Sequence, residues 1–189
     1  MLRSAGFAIL RRGQPATAEQ LTRSTGLDPA RVRDALAAMV SAGAAELDDD
    51  GRVVATGGLS LVPTRHELVL DGVALHTWCA YDALGIPVAA GVDARARSRC
   101  AHCGKLIEIG FQTGQAQGGR DVITWFPDCT VTNARRDFCD NANLFCDHEH
   151  FDAWYDSAGR PHGEALTITE VAHRARINWA QDTRWPAPA

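Results

Sequence analysis

Cys79 and Asp82 stand three residues apart in the run His76-Thr77-Trp78-Cys79-Ala80-Tyr81-Asp82-Ala83-Leu84. A distant thiol, Cys146, stands in Phe145-Cys146-Asp147-His148-Glu149-His150-Phe151. Read as a helix, the first run puts residues three apart on one face, so thiol and carboxylate project side by side. A carboxylate so placed can take the thiol's proton and later return it. Cys146, folded back from far along the chain, would complete a two-thiolate clamp with a proton donor beside it. Such a set suits a soft metal bound to carbon. A cysteine alone on an apolar helix is more often a small core residue. Asp82 shifts the balance, because a core-facing carboxylate without a partner is costly.

Four more cysteines raise a separate question. Cys100-Ala101-His102-Cys103-Gly104-Lys105 has the spacing of half a zinc knuckle, and a closed tetrahedral site needs two further ligands. Cys129 and Cys139 could supply them, giving a candidate structural zinc set of Cys100, Cys103, Cys129 and Cys139; the alternative is packed free thiols. On either account Cys100 and Cys103 lie outside the catalytic set. His148 and His150 alternate, so on a strand they share a face, for metal binding or for hydrogen bonding. His76 could lower the pKa of Cys79 or cap its helix.

The elements that must position these groups fit a chain of 189 residues, 46% hydrophobic and 22% charged, which can bury a real core. No apolar run reaches the roughly 20 residues of a membrane span, and the apolar stretch after Met1 is too short for a signal peptide. A cytoplasmic protein with reduced thiols is expected. Near the start, 2–12 reads as a helix, Thr17-x-x-Gln20 as the capping box of a second, and Asp28-Pro29 as cap and first turn of a third. Asp48-Asp49-Asp50-Gly51 turns a hairpin between 44–47 and 52–56.

Residues 1–60 therefore read as a winged helix-turn-helix-like module, and 61–189 as the catalytic domain, an α+β fold with a small antiparallel sheet. In that second part, 66–70 alternates like a strand, 73–84 reads as the helix bearing Cys79 and Asp82, and 92–98, 105–111 and 121–126 as strands. The stretch 114–119 reads as a glycine-rich turn and 133–143 as polar and irregular. Helical turns are expected at 151–156, a strand at 166–168, a helix over 169–179 capped by Thr169, and a frayed tail at 184–189.

The cysteine segments resemble a known family. Trp78-Cys79-Ala80-x-Asp82-x-Leu84, with Pro87 after it, resembles the active-site segment of the bacterial organomercurial (alkylmercury) lyases. Phe145-Cys146-x-His148-x-His150-Phe151 resembles the segment carrying that family's second essential cysteine, and Ser98-x-Cys100-Ala101 one whose cysteine is structural. The resemblance implies a carbon–mercury lyase with Cys79, Asp82 and Cys146 as its catalytic set. Cys79 and Cys146 would hold mercury, and Asp82 would take a thiol proton and deliver it to the departing carbon. It further implies small organomercurial substrates and no organic cofactor. The Hg(II) product would be stripped by excess cellular thiol and handed to low-molecular-weight thiols or a mercuric reductase.

Two rival readings share the fold: a thiol-based carrier of zinc, copper or mercury, and a winged-helix metal sensor. Neither requires Asp82. The sensor also needs DNA, yet residues 1–60 hold seven arginines and seven acids, three of them at the hairpin tip. DNA readers carry a basic face. The expected outcome in a titration with duplex DNA is no salt-sensitive, sub-micromolar binding; such binding would favour the sensor.

Overall fold

The structure is a computed structural model describing residues 1–179; the expected frayed tail lies outside the described residues. Three helices open the chain, α1 (Leu2–Leu10), α2 (Ala18–Thr25) and α3 (Pro29–Ser41). The Thr17 hydroxyl accepts from Gln20 N while the Gln20 side chain accepts from Thr17 N. Asp28 accepts from Ala30 N ahead of Pro29. These are the caps anticipated from sequence, and each satisfies backbone donors that a helix start leaves open.

The hairpin that follows, β1 (Ala45–Leu47) and β2 (Val53–Thr56), forms one end of an eight-stranded antiparallel sheet. Its other strands are β3 (Leu59–Ser60), β4 (His66–Leu70), β5 (Val73–Thr77), β6 (Ala94–Arg99), β7 (Leu106–Gln112) and β8 (Gln115–Gln117). They run in the order β1-β2-β3-β5-β4-β6-β7-β8. A three-stranded antiparallel sheet, in the order β10-β9-β11, holds β9 (Ile123–Pro127), β10 (Leu144–Phe145) and β11 (Gly163–Thr167). Helices α4 (Ala80–Ala90), α5 (His148–Ser157) and α6 (Ile168–Asn178), with a π-helical turn at Ala134–Cys139, complete the α+β fold. The main sheet is larger than the small one expected.

Four local readings need correction, the first at 114–119, where Gln115–Gln117 pairs with β7 as strand β8 between the glycines. Residues 73–77 are strand β5, and the helix starts only at Ala80. The decisive signal is Asp71-Gly72, whose positive φ angles of 51° and 80° make a two-residue hairpin turn joining β4 to β5. The last helix is capped by Thr167, with Glu170 closing its capping box, and not by Thr169. His148 and His150 lie in the first turn of α5 and not on a strand.

Apart from Ala89, every residue of α4 is buried. A helix apolar all round belongs at the centre, and α4 packs against α6 and strands β4, β5, β6 and β9. One hydrophobic core runs from Phe7 of α1 through α4 to Val171 and Trp179. Gly85 permits the closest approach, since a Cβ there would lie 2.8 Å from the Trp179 ring and 3.1 Å from Ala175 Cβ. The Trp179 indole N–H is in turn fixed by the Gly57 carbonyl at 3.1 Å. Gly85→Ala should therefore cost about 1–3 kcal/mol by overpacking, seen as a lower midpoint in urea unfolding; an unchanged midpoint would show that α6 yields freely.

Candidate active site

Cys79 is the N-cap of α4, held extended at φ −148° and ψ 174°. Its sulfur occupies the place usually taken by a Ser, Thr or Asp oxygen and accepts from Asp82 N at 3.5 Å. The three-residue spacing therefore works as cap-to-third-residue geometry, with the sulfur facing the helix N-terminus. Two strand-end contacts set the approach. Trp78 N donates to Gly58 O at 3.0 Å, and the Thr77 hydroxyl donates to Cys79 O at 3.2 Å.

The second sulfur at this site is Cys139, which closes the π-helical turn. The sulfurs of Cys79 and Cys139 and a carboxylate oxygen of Asp82 lie within 4.8 Å of one another, all buried. π-Turns recur at functional sites, and this one is pinned from several sides. Asp137 Oδ2 accepts from Thr132 N, Thr132 Oγ1 and Asn133 N, each at 2.8 Å. Ala134 N donates to Ala42 O at 2.9 Å, tying the turn to the end of α3.

The pairing of Cys79 with Cys146 is thus corrected. Cys146 lies with Cys100 and Cys103 in a second group whose sulfurs are likewise within 4.8 Å of one another, the Cys103–Cys146 pair at 3.7 Å. The chain contains two Phe-Cys pairs, Phe138-Cys139 and Phe145-Cys146. Strand β10, paired to β9 and bonded through Leu144 O to Ala101 N at 2.8 Å, carries the second pair to the Cys100 loop. The zinc set of Cys100, Cys103, Cys129 and Cys139 is corrected for the same reason. Cys139 sits with Cys79, and the exposed Cys129 donates to Asp137 O at 3.3 Å. His76 neither caps α4 nor bonds Cys79: its Nδ1 accepts from Thr64 N at 3.2 Å.

A cavity of about 160 Å³ opens on this group, lined by Arg3, Gly58, Trp78, Asp82 and Cys139 among others. A neighbouring one of about 330 Å³ shares Arg3 and Asp82 and adds Tyr81, Phe126, Phe138 and Trp179. Asp82 thus stands between a thiol-lined and an aromatic-lined space. Arg3 and Gly58 carry no motif and were not singled out from sequence. Gly58 has φ +91°, and a Cβ there would lie 2.7 Å from the Asp82 carboxyl carbon. Only glycine gives both that conformation and that clearance.

Burial dominates the electrostatics. Asp82 Oδ2 has no hydrogen-bond partner among the described residues. Desolvation pushes the Asp82 carboxyl up to about 6, against the opposing pull of Cys79 and the Arg3 and Arg135 guanidiniums. Desolvation likewise pushes the Cys79 thiol well above its ordinary value, with Cys139 and Asp82 adding to it. Near neutrality the site therefore holds protonated sulfur beside a carboxylate able to receive a proton. In the other group, burial also opposes ionisation of Cys100, but backbone N–H groups of Cys103, Cys146 and His102 outweigh it and bring that thiol down to about 7.

Residues 59–181 match the model of the alkylmercury lyase family. The chain is 30% identical over 171 residues to the alkylmercury lyase of Streptomyces lividans, covering 89% of this chain and 77% of that protein. The Bacillus cereus alkylmercury lyase is 27% identical over 172 residues, covering 89% and 76%. A crystal structure of the mercury-bound form of MerB2 superposes with a TM-score of 0.86 at 25% identity, covering 96% of this chain and 89% of that one.

The raised pKa of Asp82 has a stability consequence. With about 6 in the folded state against 3.8 for the ordinary group, the folded protein holds the proton more tightly. Stability is full below pH ~4 and declines as pH rises through ~6. Asn mimics the protonated form. Asp82→Asn should therefore stabilise the protein above pH ~6, by an amount on the order of 3 kcal/mol, and give no gain near pH 4. Chemical unfolding at both pH values checks this; a variant less stable at pH 8 would refute it.

Proposed function

The chain belongs to the alkylmercury lyase family, and on that premise we propose that Cys79, Asp82 and Cys139 are the groups that cleave its carbon–mercury bond. The observation that carries the assignment is the buried juxtaposition of two sulfurs and one carboxylate within 4.8 Å. Soft thiolates are the natural ligands for mercury. The first sulfur displaces the weaker ligand X from R–Hg–X, and its proton leaves with X as HX. The second thiol then gives its proton to Asp82 as its sulfur joins mercury. Two sulfur ligands push electron density onto carbon, the carbon–mercury bond breaks, and Asp82 delivers that proton to carbon. The balance is R–Hg–X plus two thiols giving R–H, HX and a dithiolate-bound Hg(II).

Each group's setting supports its role. A carboxyl raised to about 6 is mostly ionised at neutral pH yet retains its proton well once protonated. Burial holds Cys79 as a thiol, and the Asp82 backbone N–H at the start of α4 offsets part of that cost when its sulfur takes up metal. The cavity beside Asp82 offers the organic group the rings of Tyr81, Phe126, Phe138 and Trp179. The reaction draws on no organic cofactor. Release of Hg(II) falls to excess low-molecular-weight thiol or to a mercuric reductase, which places the protein in the reducing cytoplasm. Residues 1–60 serve as a winged-helix-like module that walls the site, contributing Arg3, Ala44 and Gly58, and leave nucleic acid and membrane unbound; 61–189 form the catalytic domain.

In an assay for benzene released from phenylmercury with excess thiol, Asp82→Asn should still bind the mercurial, while turnover falls by about 10²–10⁴-fold. Cys79→Ser and Cys139→Ser should lose capture and turnover together, each removing a sulfur ligand. Cys146→Ser should spare turnover per folded molecule. The reverse pattern, with Cys146 essential and Cys139 dispensable, would reject the assignment, and a wild type that binds mercurials without releasing hydrocarbon would favour the carrier.

A further inference from the structure

The second thiol group is independent of the cleavage site. Cys100 and Cys103 flank a tight loop in which Gly104 N donates to Cys100 O and Cys100 N to Lys105 O, both at 2.9 Å. Gly104 takes φ +74°, a conformation other side chains resist. This is the turn of a metal knuckle, and Cys146 enters it from β10. Bonds of ~2.3 Å from zinc to sulfur at a tetrahedral angle set neighbouring sulfurs about 3.8 Å apart; Cys103 and Cys146 stand at 3.7 Å. The backbone N–H groups of Cys103, His102 and Cys146 face the Cys100 sulfur, and donors of that kind stabilise a metal-bound thiolate. No carboxylate shares the group, so it lacks the proton carrier that cleavage requires.

His150 lies near the three sulfurs, its ring nitrogens outside the 4.8 Å group, and a side-chain rotation would bring it to the remaining position. His150 Nδ1 bonds Asp147 Oδ1 at 2.8 Å, the carboxylate–imidazole relation that orients a histidine for metal binding through its other nitrogen. Its ring lies 5.4 Å from that of His102, inside the knuckle. We propose that Cys100, Cys103 and Cys146 bind one structural zinc ion, with His150 as the fourth ligand.

The consequence is mechanical as well as chemical. Zinc there would staple the β6–β7 turn to the β10–α5 junction, and Cys139 lies only one short segment upstream of Cys146. Structural zinc contributes folding energy directly, so it would steady the segment that presents Cys139 without touching substrate.

The test begins with wild-type protein expressed with zinc and without mercury. Elemental analysis should give one zinc per chain, and exchange with Co(II) should produce the intense thiolate-to-cobalt absorption of a tetrahedral site. Cys146→Ser and the Cys100→Ser/Cys103→Ser double variant should lose the metal and unfold at lower temperature, whereas Cys79→Ser/Cys139→Ser should retain it. His150→Ala should weaken zinc retention against a chelator at least 10-fold. Zinc-free wild type with no cobalt spectrum, or a Cys103–Cys146 disulfide in freshly purified protein, would overturn the proposal. Unchanged retention in His150→Ala would overturn the assignment of the fourth ligand. These readouts do not involve turnover, so they stand or fall separately from the lyase mechanism.

Discussion

A carboxylate buried at the head of a central helix is the constraint on which the rest of the structure turns. Asp82 is 7% exposed, one of its oxygens has no hydrogen-bond partner among the described residues, and its burial is opposed by the cost of desolvating charge. The fold tolerates it because everything nearby is arranged around that one group. Gly58 gives up a side chain to admit it, the Cys79 cap positions it, and Arg3 and Arg135 partly offset its charge. The same arrangement makes it useful, since a carboxyl that holds a proton at near-neutral pH can shuttle one. Strain kept at a functional group and compensated elsewhere is what selection for activity leaves behind.

The sequence made much of the frame legible for local reasons. The Thr17–Gln20 capping box, Asp28-Pro29 and Asp-Asp-Asp-Gly are short-range chemistry, and the two helices and the hairpin they mark fall where expected. Residues 73–77 form a strand and not the start of a helix because Asp71-Gly72 makes a turn whose backbone demands outweigh local propensity. The resemblance of residues 78–84 located Cys79 and Asp82 but not their partner. Both Phe-Cys pairs look alike over two residues, and what separates them is long-range: β10 pairing with β9 in one case, a π-turn anchored on α3 in the other. The polar run Asn133–Asn143 has no legible period because Asp137 gathers three donors from its own neighbourhood, a network with no sequence periodicity.

The two thiol groups show how environment divides one chemistry into two. Both hold sulfurs within 4.8 Å. At Cys79 and Cys139 the environment is buried and contains a carboxylate, so sulfur stays protonated until a soft metal arrives and the released proton has somewhere to go. In the second group the Cys100 sulfur faces backbone N–H donors of Cys103, Cys146 and His102, which bring it down, while burial and the two neighbouring thiols hold Cys146 up. Such donors favour standing thiolates and a resident metal over a transient one. Only the first arrangement can couple metal capture to proton delivery. The eight residues from Cys139 to Cys146 therefore join the proposed cleavage centre, which must exchange its metal at each turnover, to a group suited to keeping one. A metal held at Cys146 would limit how far the chain carrying Cys139 can move from Asp82.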